Sequence, residues 1–148
     1  KEIMDGMLQV NVVGIAMLCK YFGKQMKERG YGKIINVSST RGARACLGGN
    51  ASYCTTKGAL DMLTRTAACD LGPEVCVNAI GPTNTVTPMM EDLIKEHPEI
   101  LHLGDDKPLQ RIGTVEDCMG PAVFLASHAS DFMTGQIVYA DGGMTAIG

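Results

Sequence analysis

Tyr53-Cys54-Thr55-Thr56-Lys57 places a phenol and an ammonium four residues apart, in a segment whose pattern predicts helix. Four residues advance a helix by about 400°, so the two side chains share one face, about 40° apart. A free tyrosine has a pKa of about 10 and exchanges protons poorly near neutrality. A cation within about 4–6 Å favours the phenolate, and a tyrosine tuned in this way could move a proton to or from an alcohol oxygen. Ser39 lies fourteen residues earlier, at the end of a predicted strand. Its hydroxyl can face the same side of the following helix, and it is better suited to hydrogen-bond a substrate oxygen than to attack one. A serine hydrolase using Ser39 with His97 or His102 has little support. The chain has no Gly-x-Ser-x-Gly elbow, and neither histidine stands in a base-and-nucleophile arrangement.

The elements that must position these groups follow from pattern. Residues 7–29 predict a helix with an apolar stripe of Met7, Val10, Val13, Met17, Tyr21 and Met26, stopped at Gly30. Lys33 to Val37 is short, apolar and β-branched, a buried strand. Residues 38–51 read as a loop and 52–71 as a helix ended by Gly72-Pro73. Val75 to Ile80 predicts a second buried strand, broken by Gly81-Pro82-Thr83-Asn84. Residues 86–110 are polar and irregular, with a short helix at 88–96, and form a candidate lid or binding segment. Thr114-Val115-Glu116-Asp117 reads as a capping box opening a helix to Ser127, and Gln136 to Ala140 predicts a third strand before Asp141-Gly142-Gly143. Short unbroken apolar strands alternating with helices predict an α/β fold with a parallel sheet covered on both faces. Ligands on such sheets bind beyond the carboxyl ends of the strands, where Ser38-Ser39, Gly81-Pro82 and Asp141-Gly142-Gly143 all lie.

Composition narrows the function classes. A chain of 148 residues with 45% hydrophobic and 20% charged residues predicts one globular domain. A net charge of −3 and the absence of a Lys/Arg cluster argue against nucleic acid and anionic membranes as partners. The unbroken apolar runs fall short of about 18 residues, which argues against a membrane span. Six cysteines without a C-x-x-C pair are read as free thiols in a reducing compartment, with a cytoplasmic location. The sequons at Asn36 and Asn50 are read as coincidence. Three unclustered histidines predict no metal site.

Taken in order, several segments resemble the short-chain dehydrogenase/reductase family. They are Leu8-Gln9-Val10-Asn11-Val12, Gly32 through Ser39, Tyr53-x-x-x-Lys57, Val77-Asn78-Ala79-Ile80-Gly81-Pro82 and Thr87-Pro88-Met89. Pro108 through Gly113, Phe124 through Ser127 and Thr134 through Gly143 complete the match. The resemblance covers nearly the whole chain and leans toward sugar- and polyol-type or 3-oxoacyl-reductase-type members. It implies the C-terminal half of a doubly wound, Rossmann-like parallel sheet. It also implies an NAD- or NADP-dependent oxidoreductase interconverting an alcohol and a carbonyl by hydride transfer. Under it, Tyr53 is the general acid/base, Lys57 tunes it and holds the nicotinamide ribose, and Ser39 holds the substrate oxygen. Asn11 holds a water joining Lys57 to solvent, and Pro82, Thr85 and Thr87 line the nicotinamide. A small alcohol or carbonyl substrate and a homodimer or homotetramer are the implied partners.

Two departures stand out. The family usually carries Gly where this chain has Thr83, and the Ser39–Tyr53 spacing is about one residue longer than the commonest one. The family's Gly-rich phosphate turn and its Asn-Ala-Gly segment have no match here. Residues 1–148 are therefore expected to be the catalytic C-terminal portion of a single Rossmann-like domain. The N-terminal cofactor half would be absent and the isolated chain inactive. Arg44, Asn50, Asn84, His97 and His102 are expected to ring the substrate pocket. The alternative to an enzyme is a non-enzymatic fragment or scaffold that kept the fold without binding cofactor.

Overall fold

The structure, a computed structural model, describes residues 1–45 and 50–147. Cys46 and Gly148 lie outside the described residues, as do the Leu47-Gly48-Gly49 positions of the predicted loop. The chain opens on a long helix, α1 (Glu2–Arg29), ended by Gly30 in the left-handed region at φ 78°. Gly tolerates this conformation without a Cβ penalty. β1 (Gly32–Val37) follows, then a 3₁₀ turn at Thr40–Gly42 and helix α2 (Ala51–Leu71). β2 (Val75–Pro82), β3 (Thr85–Val86), α3 (Glu91–Glu96), β4 (Gly113–Thr114), α4 (Glu116–Ala126) and β5 (Ile137–Ala140) complete the order.

β1, β2 and β5 form a parallel sheet in the order β1-β2-β5, with Ile34 opposite Val77 and Ile80 opposite Val138. α1 and α2 pack on each other and on β1 and β2, while α4 packs on all three strands. The fold is thus the α/β arrangement that alternating helices and apolar strands predict. The core gathers Ala67 and Ala68 of α2 with Val75 and Val77 of β2, and Met26, Ile34 and Leu71 pack around them.

Several details differ from the sequence reading. α1 begins at Glu2 rather than at 7, and residues Gln9–Gly14 are wound as a π-helix. The predicted apolar stripe largely faces outward: Val10, Val13, Met17 and Tyr21 are exposed. The packed face instead carries Asn11, buried Cys19 and buried Gly23. A Cβ at Gly23 would stand 2.5 Å from Leu71 Cδ1, so a larger residue there would make the Leu71 side chain move. The N-terminal two thirds of α1 carry apolar residues on both sides, with Val10, Met17 and Leu18 exposed and Cys19 buried, so periodicity alone could not choose the inner face. For the same reason the run-length argument against a membrane span fails for α1. Its 28 residues are long and apolar enough to cross a bilayer by composition alone.

β2 runs two residues further than predicted, because Gly81 and Pro82 pair with Tyr139 and Ala140. The irregular 86–110 segment contains β3, α3 and 3₁₀ turns at Pro88–Met90 and Pro98–Gly104, and β3 pairs with β4 in a small parallel ladder. The predicted capping box is only half made. Val115 precedes α4 without a side-chain cap, and the Asp117 carboxylate accepts from Thr114 N at 2.8 Å while pairing with Arg111 at 2.7 Å. Cys19, Cys69, Cys76 and Cys118 are free thiols. Asn36 is buried, with its amide donating to Thr64 Oγ1 at 2.9 Å, so its sequon is enclosed by the fold.

Candidate active site

Ser39 and Tyr53 open on one cavity of about 240 Å³ at the carboxyl end of β1. Thr40, Arg41, Asn50, Thr83 and Asn84 complete its lining. β1 delivers Ser39 at its end, α2 delivers Tyr53 from its first turn, and the break after β2 delivers Thr83 and Asn84. Ser39 is buried and caps the turn Thr40–Gly42, its Oγ accepting from Arg41 N at 3.2 Å. A hydroxyl has one donor and two acceptor positions. Accepting from Arg41 therefore leaves the Ser39 proton available to an oxygen in the cavity.

Lys57 Nζ lies 5.6 Å from the centre of the Tyr53 ring, within cation–π range. It donates to Val37 O at 2.9 Å. An ammonium has three donors, so two remain without a partner among the described residues. Burial pushes the Lys57 ammonium below its ordinary pKa, and the carboxylate of Asp61, one turn further along α2, works against that shift. Asp61 is itself buried, which raises its carboxyl above the ordinary range. A hydrogen bond from Ser38 and the charges of Arg65 and Lys57 oppose the rise.

A belt of polar contacts holds this arrangement from below. Asn11 Nδ2 donates to Thr56 Oγ1 at 3.1 Å, and Thr56 Oγ1 donates to Tyr53 O at 2.9 Å. Asn36 bridges Cys19 and Thr64, and Ser38 Oγ donates to Asp61. Asn11 lies in the π-helical turns of α1, a geometry that recurs at functional sites. The sequence reading missed Asp61 and Thr64. Polar residues falling on the sheet-facing side of an otherwise apolar helix were the available signal.

The residues expected at the nicotinamide sit along the segment after β2. Pro82 pairs with Ala140, Thr85 Oγ1 donates to Thr83 O at 2.9 Å, and Thr87 O accepts from Met90 N at 2.8 Å. They flank the cavity without lining it. Of the expected pocket ring, Asn50 and Asn84 line the cavity. The other three do not: Arg44 donates to Met144 O, His97 pairs with Glu99, and His102 pairs with Asp105. Arg41, which the sequence reading passed over, takes their place in the wall. Thr83 donates to Met144 Sδ at 3.0 Å, so this departure from the family pattern is tied to the C-terminal segment.

A larger cavity of about 450 Å³ shares Thr83 with the first and is lined by Arg111, Asp117, Tyr139 and Asp141 among others. Its charged groups are already satisfied. Arg111 and Asp117 pair bidentately at 2.7 Å, and Asp141 accepts from Gly143 N, Thr145 N and Thr145 Oγ1. The Asp141-Gly142-Gly143 loop therefore closes on itself, and Ser39 and Tyr53 line the smaller cavity.

Known proteins share this fold. A family model described as enoyl-(acyl carrier protein) reductase matches residues 1–145. L-xylulose reductase of Mus musculus is 38% identical over 148 residues, covering 99% of this chain and 60% of the mouse protein. Cyclohexanol dehydrogenase of a Rhodococcus species is 38% identical over 147 residues, covering 98% of this chain and 54% of its own. Among solved structures, gluconate 5-dehydrogenase of Burkholderia cenocepacia, crystallised with NADP and tartrate, superposes with a TM-score of 0.89 at 32% identity. That match covers all of this chain and 58% of the other. The chain thus spans little more than half the length of the relatives it matches. With its sheet, its helices and nearly every residue matched, this chain belongs to the short-chain dehydrogenase/reductase family.

Proposed function

We propose that the whole protein carrying these residues interconverts an alcohol and a carbonyl with NAD or NADP, and that Tyr53 exchanges the proton with the substrate oxygen. The supporting observation is the convergence of Ser39 and Tyr53 on one cavity, with the Lys57 ammonium 5.6 Å from the Tyr53 ring centre. Ser39, already accepting from Arg41 N, donates its proton to the substrate oxygen and holds it beside the phenol. Positioning of this kind supplies much of the acceleration in such reactions.

The residues present fit a nicotinamide nucleotide. Lys57 is a partly desolvated ammonium with two donors unsatisfied among the described residues, suited to the ribose hydroxyls. Pro82, Thr85 and Thr87 would flank the nicotinamide from the segment after β2. When bound, the cofactor supplies or accepts the hydride. Asn11, with its amide nitrogen committed to Thr56, offers its carbonyl oxygen to a water that carries protons between Lys57 and solvent. We infer further that residues beyond these 148 hold the other end of the dinucleotide, so the isolated chain binds NADH or NADPH weakly. A second copy of the chain is the inferred partner for the exposed apolar face of α1, which carries Val10, Met17 and Tyr21.

The test is NAD(P)H oxidation by the whole protein with a carbonyl substrate. Tyr53→Phe should lower turnover by about a hundred- to ten-thousandfold, the usual range for a lost general acid, while cofactor binding persists. Unchanged turnover in that variant would remove Tyr53 from the mechanism.

A further inference from the structure

Arg41 brings to the cavity a charge that proton transfer does not require. It sits between Ser39 and Gly42 in a fixed corner of the chain. Ser39 Oγ accepts from Arg41 N at 3.2 Å, and Gly42 N donates to Ser39 O at 3.0 Å. A Cβ at Gly42 would meet Asp61 Oδ2 at 2.5 Å and Lys57 O at 3.0 Å, so the corner is pressed against α2 with no room to shift. Arg41 is thereby held in the cavity wall beside Ser39 and Tyr53.

Among the described residues its guanidinium has no counter-charge. No carboxylate among the described residues pairs with Arg41, and no described side-chain hydrogen bond satisfies it. Arg111 and Arg44 differ, the first clamped to Asp117 and the second committed to Met144 O. The described cavity lining contains no acid at all. Apart from Arg41 it presents hydroxyls from Ser39, Tyr53 and Thr83 and carboxamides from Asn50 and Asn84. A half-buried cation facing neutral donors and acceptors selects an anion. The planar fork of a guanidinium matches a carboxylate with two parallel hydrogen bonds. The Ser39 proton and the Asn84 carboxamide in the lining match hydroxyl groups of a ligand, and an apolar substrate would leave the Ser39 donor unpaired.

We propose that the substrate is a small polyhydroxy carboxylate, its reacting carbon held between Ser39 and Tyr53 and its carboxylate held by Arg41. This assignment rests on the alcohol/carbonyl chemistry proposed above, and recognition can be measured apart from that chemistry. Gluconate and sorbitol have the same length and differ at the carboxylate, so they serve as probes for the whole protein. Oxidation with NAD or NADP should favour gluconate in kcat/KM by about ten- to hundredfold, the range for a charged hydrogen-bonded pair. Arg41→Gln should collapse that ratio through the gluconate KM, with kcat for gluconate little changed, and Arg41→Lys should restore part of it. Calorimetry on the Tyr53→Phe variant should still show gluconate binding, and adding Arg41→Gln should remove it.

The proposal is overturned if sorbitol binds as tightly as gluconate, if Arg41→Gln leaves the ratio intact, or if a sugar phosphate binds more tightly than either. Arg41-dependent gluconate binding without turnover would sustain the recognition and defeat the chemistry. Turnover of neutral alcohols alone, indifferent to Arg41, would do the reverse.

Discussion

Helices α1 and α2 lie side by side, and both serve the site, yet they are built on different terms. α2 buries Thr56, Leu60, Asp61, Thr64, Ala67 and Ala68, whereas α1, although longer, buries only Cys19 and Gly23. The difference does not follow apolar content. Ile3, Val10, Met17, Leu18, Tyr21 and Phe22 of α1 are all large, apolar and exposed. It follows position: α2 lies along β2 and against the core, while α1 leans on α2 and on β1. α2 accordingly carries the groups that need exact placement, Tyr53 and Lys57, and α1 supplies Asn11 from its π-helical turns.

This contrast can be broken in graded steps. Tyr53→Phe, on α2, carries the largest expected effect, and Asn11→Ala, on α1, should lower turnover far less, by about tenfold. Equal losses in steady-state kinetics would erase the functional distinction between the helices. Leu60→Ala comes next. Leu60 is 1% exposed, and a buried leucine truncated to alanine costs about 2–5 kcal/mol in urea denaturation. Met17→Ala on α1, where the side chain is 60% exposed, should change the stability of a single copy by no more than about 0.5 kcal/mol. If a second copy covers that face, Met17→Glu should lower the mass measured by light scattering. An unchanged mass would leave the apolar row of α1 without that partner.

The smallest effect belongs to neither helix. The Lys33 ammonium, with help from His128 and Tyr31, pulls the Asp131 carboxyl down to about 2. An unfolded aspartate titrates near 3.9, so the folded state binds this proton less readily than the unfolded chain does. The stabilisation is therefore complete above about pH 4 and is lost as pH falls from there toward 2. Asp131→Asn should flatten the pH dependence of the urea midpoint over that window and lower the midpoint modestly at pH 7, where the aspartate's contribution is complete.

How much was legible follows from which signals are local. β1, β2 and β5 could be read because short β-branched runs bounded by Gly, Pro and Asn have few other uses. The end of α2 could be read at Gly72-Pro73, and Tyr53 with Lys57 from their spacing. The inner face of α1 was not read, because its apolar residues fall on both sides: Cys19 is buried while Val10, Met17 and Leu18 are exposed. The π-helical turns at Gln9–Gly14 have no compositional signature, and β3 and β4 are two residues each, too short for any period to register. Arg41 was passed over because one arginine in a loop looks like any other. Only the fold shows that it faces Tyr53 and Asn84 across a cavity while Arg44, three residues on, turns away to Met144.

The polar belt beneath the site acts as a set of mechanical pins. Asn11 to Thr56, Asn36 to Thr64 and Ser38 to Asp61 fasten α2 to α1 and to β1 and its end at three separate heights. Sliding α2 by one residue would shear all three at once, whereas loosening one pin leaves two to hold Tyr53 beside Ser39.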